Sequence, residues 1–154
     1  MSKLFDLQNK NVLLTGASKG MGLAMAQGLV NHGANVVISS RKLDQCKKAV
    51  DTINESVKQE KAFAFSCNAS SKDELNALVD FSISKLGSIT TLVCNAGVNS
   101  FFGSMSEIDD ESYDKTMNTN VKSNHWLINM VSPFMKESGG GSIMITSSIA
   151  AFDA

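Results

Sequence analysis

The sequence predicts an α/β protein built on a doubly wound parallel sheet. Short runs rich in Val, Ile and Leu alternate with longer segments whose apolar residues recur every three or four positions. This alternation favours parallel strands with helices on both faces of the sheet. A glycine-rich turn joins the first such run to the first helical segment. We therefore expect one domain over residues 1–154, with five strands in the order 3-2-1-4-5.

The strands are predicted from the apolar runs and from the residues that bound them. They span Asn11–Thr15, Asn35–Ser39, Ala62–Cys67, Ile89–Cys94 and Ser142–Thr146. The last strand follows a flexible break at Gly139–Gly141. In a longer sheet of the same winding it would be internal, so here we expect an exposed edge prone to pairing with another chain.

Four helices are predicted from apolar residues at helical spacing. They are Met21–His32, a segment from Leu43 to Val57, a segment from Ser71 to Gly87, and Asp110–Glu137. Ser71 and Glu74 form a capping box, in which each side chain satisfies a free backbone N–H. We expect the apolar residues of the last helix, from Tyr113 to Met135, to form one stripe along a single face of that helix. Pro133 should kink or shorten its final turns.

Composition excludes several function classes. The chain has 14 basic and 15 acidic side chains, a formal net charge of −1, and 43% hydrophobic residues. A nucleic-acid binder would need a positive surface, and a membrane protein an apolar run of ~18 residues, so neither partner is expected. Cys46, Cys67 and Cys94 lack metal-ligand spacing. They are predicted to be free thiols in a reducing compartment, with no metal site.

The turn Thr15–Gly22 predicts a site for a dinucleotide diphosphate. Glycine at position 16 permits a sharp turn, while Gly20 and Gly22 let a diphosphate and the helix approach closely. The helix N-terminus offers free N–H groups and partial positive charge to an anion. A tight turn that binds nothing is the alternative. A nucleotide-triphosphatase loop is disfavoured, because no Gly-Lys-Ser/Thr follows.

The end of the second strand favours NADP(H) over NAD(H). An NAD site usually carries an acid there for the ribose hydroxyl, but the sequence reads Ser39-Ser40-Arg41-Lys42. The Arg41 guanidinium can bind a 2′-phosphate in a forked geometry, and Lys19 adds a second positive charge. NAD(H) is the alternative cofactor. A further alternative is that Arg41 and Lys42 bind no ligand and are simply solvated residues at the start of a helix.

These motifs resemble the short-chain dehydrogenase/reductase family over essentially the whole chain. Cys94-Asn95-Ala96-Gly97 is similar to the family's Asn-Asn-Ala-Gly, with Cys94 in place of the first asparagine. Stretches 95–105 and 139–152 look most like the NADP-dependent carbonyl/retinal reductase branch. The resemblance implies a Rossmann fold and the following cofactor-binding residues: Gly16, Ser18, Lys19, Gly20, Met21, Gly22, Ser40, Arg41, Asn68, Ala69, Asn95, Ala96 and Gly97.

The resemblance also implies catalytic roles. Asn120 matches the family's helix asparagine, and Ser148 matches the serine that positions a carbonyl oxygen; a polar helix residue and a plain loop residue are the alternatives. Asn68 stands where the family often has an aspartate that accepts from the adenine amino group. An amide oxygen can still accept that hydrogen bond, more weakly.

The family's proton donor is absent from this sequence. It is a tyrosine in Tyr-x-x-x-Lys, about 13 residues after the serine, whereas the sequence ends at Ala154 and has one tyrosine, Tyr113. Family members run to about 250 residues. We therefore expect the N-terminal part of an NADP(H)-dependent oxidoreductase acting on a small carbonyl or alcohol, with doubtful turnover by these residues alone.

Two alternatives remain open at the level of sequence. The first is a catalytically dead NADP(H)-binding module that senses the nucleotide or pairs with a full-length relative. The second is a fragment that neither folds nor binds. We expect the chain to form a homo-oligomer, or to associate with itself through the exposed edge or the bare face of the last helix. The default location is the cytoplasm, although a peroxisomal signal beyond Ala154 would change it.

Overall fold

The computed structural model describes residues 3–149, which contain a five-stranded parallel sheet in the order β3-β2-β1-β4-β5. The strands are β1 Asn11–Thr15, β2 Asn35–Ser40, β3 Ala62–Ser66, β4 Thr91–Cys94 and β5 Ser142–Ile145. Every neighbouring pair is parallel. The predicted fold class and strand order are therefore confirmed, with strand ends that differ by at most two residues.

Five α-helices connect the strands: α1 Gly20–Asn31, α2 Leu43–Val57, α3 Lys72–Leu86, α4 Asp110–Met117 and α5 Ser123–Glu137. A π-helical turn, Asn118–Lys122, joins α4 to α5, and short 3-10 turns lie at Lys3–Phe5 and Met105–Glu107. No helix in the described range is long and apolar enough to cross a bilayer.

The core has two apolar clusters, one on each face of the sheet. Side chains alternate along β1, so Val12 and Leu14 face α1 and α2 while Leu13 faces α3 and α5. Both faces are covered, which explains why β1 is buried at all five positions. The three cysteines are buried free thiols, as predicted.

The predicted single stripe on the last helix is wrong in its first half. Leu127, Val131 and Met135 are buried, but Tyr113 and Val121 are 47% and 54% exposed. The π turn inserts an extra residue per turn, so the face of α4 is rotated relative to that of α5. The apolar residues on the two sides of the turn therefore do not share one buried face.

Pro133 does not shorten α5, which continues to Glu137. A proline interrupts a helix by leaving the carbonyl four residues earlier without its N–H partner. That residue, Asn129, is exposed, so water can satisfy its carbonyl. Burial of Val131 and Met135 on either side of the proline holds the last turns against the sheet.

β5 is an exposed edge strand, as the sequence predicts. All four of its residues are exposed. The Ser142 N–H donates to the Thr90 carbonyl and the Thr146 N–H donates to the Cys94 carbonyl. Because successive residues of a parallel strand bond to opposite sides, the N–H and C=O groups of Ile143 and Ile145 point away from β4.

Candidate functional site

A cleft of about 600 Å³ opens at the carboxyl ends of the strands. It lies where the winding of the sheet reverses between β1 and β4, the usual ligand site of open α/β sheets. Ten of the predicted cofactor residues line it: Gly16, Ser18, Lys19, Ser40, Arg41, Asn68, Ala69, Asn95, Ala96 and Gly97. Gly20, Met21 and Gly22 do not line it, but they form the helix start beside it.

The glycine turn is shaped by close backbone packing. Gly16 has φ +66°, and a Cβ there would lie 2.7 Å from the Ala96 Cα. A Cβ on Gly22 would meet Ala17 Cα at 2.7 Å, so this glycine permits close contact between α1 and the turn. Gly20 differs: it has φ +58°, and nothing lies within 4 Å of its Cβ position. The space above Gly20 is therefore open to a ligand.

The start of α1 carries no side-chain cap. Its N-cap, Lys19, has extended backbone geometry, and no side chain hydrogen-bonds the first turn. The first N–H groups of a helix have no acceptor within the helix, so those of Gly20, Met21 and Gly22 stay available. Together with the helix dipole they form a site suited to a phosphate or diphosphate.

Thr15 and Asn95 tie the turn to the end of β4. The Thr15 Oγ1 accepts from the backbone N–H groups of Asn95 and Ala96, both at 3.1 Å. The Asn95 Nδ2 donates to the Gly16 carbonyl at 3.0 Å, and its Oδ1 accepts from the Thr146 hydroxyl at 3.2 Å. These bonds link the carboxyl ends of β1, β4 and β5, so the cleft floor is rigidly connected to the sheet.

The charged residues that line the cleft are all cationic. They are Lys19, Arg41, Lys42 and Lys115, with no aspartate or glutamate among the lining residues. No ion pair with these four cations occurs within residues 3–149. Sequence reasoning missed Lys115, although its spacing of four residues from the lining residue Thr119 places both on one helical face. The cleft is therefore suited to a polyanion.

The β3 side of the cleft is held by polar contacts of Asn68–Ser71. The capping box is half confirmed, because the Ser71 Oγ accepts from the Glu74 N–H at 3.3 Å. Glu74 does not reach back to Ser71; its Oε2 accepts from the Asn68 N–H at 2.8 Å. The Ser70 and Thr119 hydroxyls lie 2.6 Å apart. These contacts fix the loop after β3 against the π turn.

The two predicted catalytic residues lie outside the lining of the cleft. The Val98 N–H donates to the Asn120 Oδ1 and the Asn120 Nδ2 donates to the Val98 carbonyl, each at 2.8 Å. Asn120 therefore clamps the loop that follows β4. Ser148 lies three residues beyond the end of β5 and is exposed.

The buried thiols are not activated nucleophiles. Burial, followed by the negative charge of Glu74, raises the pKa of the Cys67 thiol to about 12. Burial alone raises the pKa of Cys94 to about 11. Both thiols are protonated at neutral pH, although Cys67 lines the cleft. Across residues 3–149, no group of three or more His, Cys, Asp or Glu side chains could hold a metal ion.

The parallel sheet and the glycine-turn cleft define a Rossmann-like α/β fold. The family model for short chain dehydrogenase matches residues 10–154. The chain is 38% identical over 155 residues to human dehydrogenase/reductase SDR family member 4, covering 99% of this chain and 54% of that protein. It belongs to the short-chain dehydrogenase/reductase family, and it spans about half the length of the curated relatives it matches.

Solved structures of the family superimpose closely on this chain. A 7α-hydroxysteroid dehydrogenase complexed with NADH and 7-oxo glycochenodeoxycholic acid matches with a TM-score of 0.91 and 35% identity, covering 97% of this chain and 57% of that one. L-sorbose reductase from Gluconobacter frateurii, complexed with NADPH and L-sorbose, matches with a TM-score of 0.91 and 27% identity, covering 97% and 56%.

Proposed function

We propose that this chain binds NADP(H) and forms the cofactor half of an oxidoreductase that interconverts a small carbonyl compound and its alcohol. The observation that carries the proposal is the uncapped start of α1 beside a cleft whose charged lining is entirely cationic. A dinucleotide carrying a third phosphate matches both features. Its diphosphate fits the free amides, and its 2′-phosphate fits the cations at the end of β2.

The preference for NADP(H) over NAD(H) rests on the residues at the end of β2. Ser40, Arg41 and Lys42 line the cleft there, and Lys19 lines it from the glycine turn. A carboxylate at this position would repel a 2′-phosphate, whereas a guanidinium binds it with two hydrogen bonds. Similar structures hold NADH in one case and NADPH in another, so membership of the family does not decide the preference.

A bound nicotinamide supplies a hydride to a carbonyl carbon, or accepts one from an alcohol. In this proposal the glycine turn and Asn95 hold the cofactor side of the site, and Asn120 positions the loop after β4 through Val98. Ser148 is assigned to orienting the carbonyl oxygen. Tyr113 does not line the cleft and is 47% exposed, so it is not the proton donor.

The substitution Arg41→Asp tests the cofactor preference. We expect the Kd for NADPH to rise at least tenfold, because phosphate attraction becomes repulsion, and the Kd for NADH to fall or stay unchanged. Binding is measured by nucleotide fluorescence on the purified chain. Lys48→Asp is the matched control, since it makes the same charge change on an exposed face of α2 outside the cleft. An unchanged NADPH affinity in Arg41→Asp would contradict the proposal.

Turnover separates the enzyme from a binding module. Assay of the chain with NADPH and small aldehydes or ketones would show carbonyl-dependent NADPH oxidation in the first case. Saturable binding without oxidation is expected of both candidates: the cofactor half of an enzyme, because these residues contain no Tyr-x-x-x-Lys, and the module, whose role is to sense the nucleotide or pair with a longer relative. The cytoplasm is the compartment we propose, consistent with three buried free thiols.

A further inference from the structure

The π turn Asn118–Lys122 contacts two of the loops that line the cleft. The Thr119 hydroxyl lies 2.6 Å from that of Ser70, in the loop after β3. The next residue, Asn120, exchanges two hydrogen bonds of 2.8 Å with the backbone of Val98, in the loop after β4. Ser70, Val98 and Thr119 all line the cleft. The placement of the two loops relative to each other therefore depends on the conformation of this turn.

The backbone of the π turn departs from the ordinary helical pattern of hydrogen bonds. The Ser123 N–H donates to the Asn118 carbonyl, five residues earlier, whereas in an α-helix it would donate to Thr119, four residues earlier. The Thr119 carbonyl accepts from the Ser123 hydroxyl instead. The Asn120 carbonyl accepts from the Asn124 Nδ2 at 2.8 Å. Two side chains at the start of α5 thus bond to the carbonyls of the two residues that reach the loops.

Ser123 and Asn124 are buried away from the cleft. They are 1% and 9% exposed, and neither of them lines it. A buried polar side chain is unfavourable unless it is hydrogen-bonded, and an apolar side chain of similar size would pack here without that cost. A hydroxyl bonded to the carbonyl four residues earlier also disfavours a straight α-helix slightly. The hydrogen bonds of both side chains are thus directed to the π turn rather than to a ligand.

Resting on the proposed nucleotide function, we infer that Ser123 and Asn124 are positioning residues for the cleft. They hold the π turn, and the turn places Thr119 and Asn120 so that each reaches its own loop. Relaxation of the turn to an α-helix would rotate these two residues relative to α5, so that at least one of the two contacts is lost. Nucleotide affinity then falls, although neither Ser123 nor Asn124 touches the ligand.

The first test is a double-mutant cycle on Ser123→Ala and Ser70→Ala, with the Kd for NADPH measured by nucleotide fluorescence. Each single substitution should raise the Kd about threefold to tenfold. Because both residues act through Thr119, the double variant should bind at most about twofold more weakly than the weaker-binding single variant. Ser132→Ala is the matched control, since the Ser132 hydroxyl donates to the Ile128 carbonyl four residues earlier in the same helix, away from the π turn. It should leave the Kd unchanged.

The second test uses Trp126, the only tryptophan in the sequence, as a reporter of the turn in the absence of nucleotide. The Lys122 ammonium, at the end of the turn, lies 5.1 Å from the centroid of the Trp126 ring. Asn124→Leu keeps the side-chain size and removes the donor, so it should change the intrinsic emission of Trp126 and weaken NADPH binding together. Asn76→Leu makes the same change at an exposed position on α3 and should alter neither.

The outcomes distinguish this inference from the function on which it rests. Additive effects of Ser123→Ala and Ser70→Ala, or unchanged NADPH affinity in both Ser123→Ala and Asn124→Leu, overturn the positioning role and leave the nucleotide site intact. Circular dichroism shows whether each variant is folded, and the Ser123→Ala cycle decides alone if Asn124→Leu is not. Failure of the folded, unsubstituted chain to bind NADPH saturably overturns the proposed function and this inference together.

Discussion

The burial of Cys67 makes the stability of the fold depend on pH. The residue is 5% exposed just beyond β3, and its thiol is close enough to the Glu74 carboxylate to be affected by that charge. Both features disfavour a thiolate and raise the pKa of Cys67 from its ordinary value of 9.0 to about 12. The folded protein therefore holds this proton more tightly than the unfolded chain does.

This shift predicts a loss of stability in alkali. The contribution of Cys67 is fully present below pH 9 and is lost as pH rises from about 9 to 12. In that range the free energy of unfolding should fall by up to about 1.4 kcal/mol per pH unit from this group. Urea denaturation of Cys67→Ala between pH 8 and 11 should give a shallower decline than the unsubstituted chain. Parallel declines would show that Cys67 makes no such contribution.

Asn120 shows how much of a side chain's role and contacts can be predicted from its position in the sequence. Its place in a family motif predicts a functional role. The structure adds a contact that the motif does not predict, because the partner, Val98, is 22 residues away along the chain. Such a pairing depends on how the π turn and the loop after β4 fold against each other, which local pattern does not encode.

The start of α1 is the element in which the proposed function depends on backbone geometry. Gly20 combines a φ of +58° with open space above its Cβ position. Any side chain there is strained by about 1–3 kcal/mol and occupies the volume next to the free amides. The start of α1 therefore leaves room for a ligand, but it tolerates substitution of Gly20 poorly.

Gly20→Val should abolish nucleotide binding while leaving a folded, less stable protein. The branched side chain fills the space in front of the helix N-terminus, so the Kd for NADPH should rise more than a hundredfold. Gly28→Ala is the control, because it adds a methyl group to the same helix where nothing lies within 4 Å, and it should not weaken binding. Fluorescence titration with thermal melts separates lost binding from lost folding. Undiminished binding by Gly20→Val would place the diphosphate elsewhere.

The strands were predicted well, and the last helical segment was not. The β1 boundaries agree at both ends, because Asn11–Thr15 is a short apolar run bounded by polar residues and glycine. The region from Asp110 to Glu137 was predicted as one continuous helix, but it contains the π turn Asn118–Lys122. Thr119 in this turn contacts Ser70 through hydroxyls 2.6 Å apart, a long-range contact that residue spacing alone does not reveal.

For the whole molecule, the sequence predicted the cleft and the edge strand but only part of the charge around the cleft. The glycine turn and Arg41 are local motifs, so the sequence alone predicts their contribution to the cleft. Lys115 comes from α4 and reaches the cleft only because the chain folds back over the sheet. The complete set of four cations is therefore a property of the tertiary structure.

The exposed edge predicts that the chain associates with itself. Ile143 and Ile145 are 41% and 49% exposed, and their backbone groups point away from β4. Sedimentation velocity should show concentration-dependent dimers or larger species. Ile145→Lys should shift the chain toward monomer, since a charged edge strand resists pairing.

The control for the edge is Ile149→Lys, the same change at a 78% exposed residue beyond β5. It should leave the association unchanged. A monomer at high concentration in the unsubstituted chain would argue against pairing at this edge.

The Thr15 hydroxyl couples the structure of the sheet to the binding of a ligand in the cleft. One oxygen at the end of a buried strand accepts from two amides of the segment opposite, so this atom, together with the Asn95 side chain, holds the two walls of the cleft mouth at a fixed spacing. Valine has the same shape but no lone pairs, and would leave both amides without an acceptor. The sheet would keep its form, while the two walls of the mouth would lose two of the hydrogen bonds that join them and keep the one from the Asn95 side chain. Thr15, which is 3% exposed and lines the cleft, can thus govern ligand affinity by fixing the spacing of the walls.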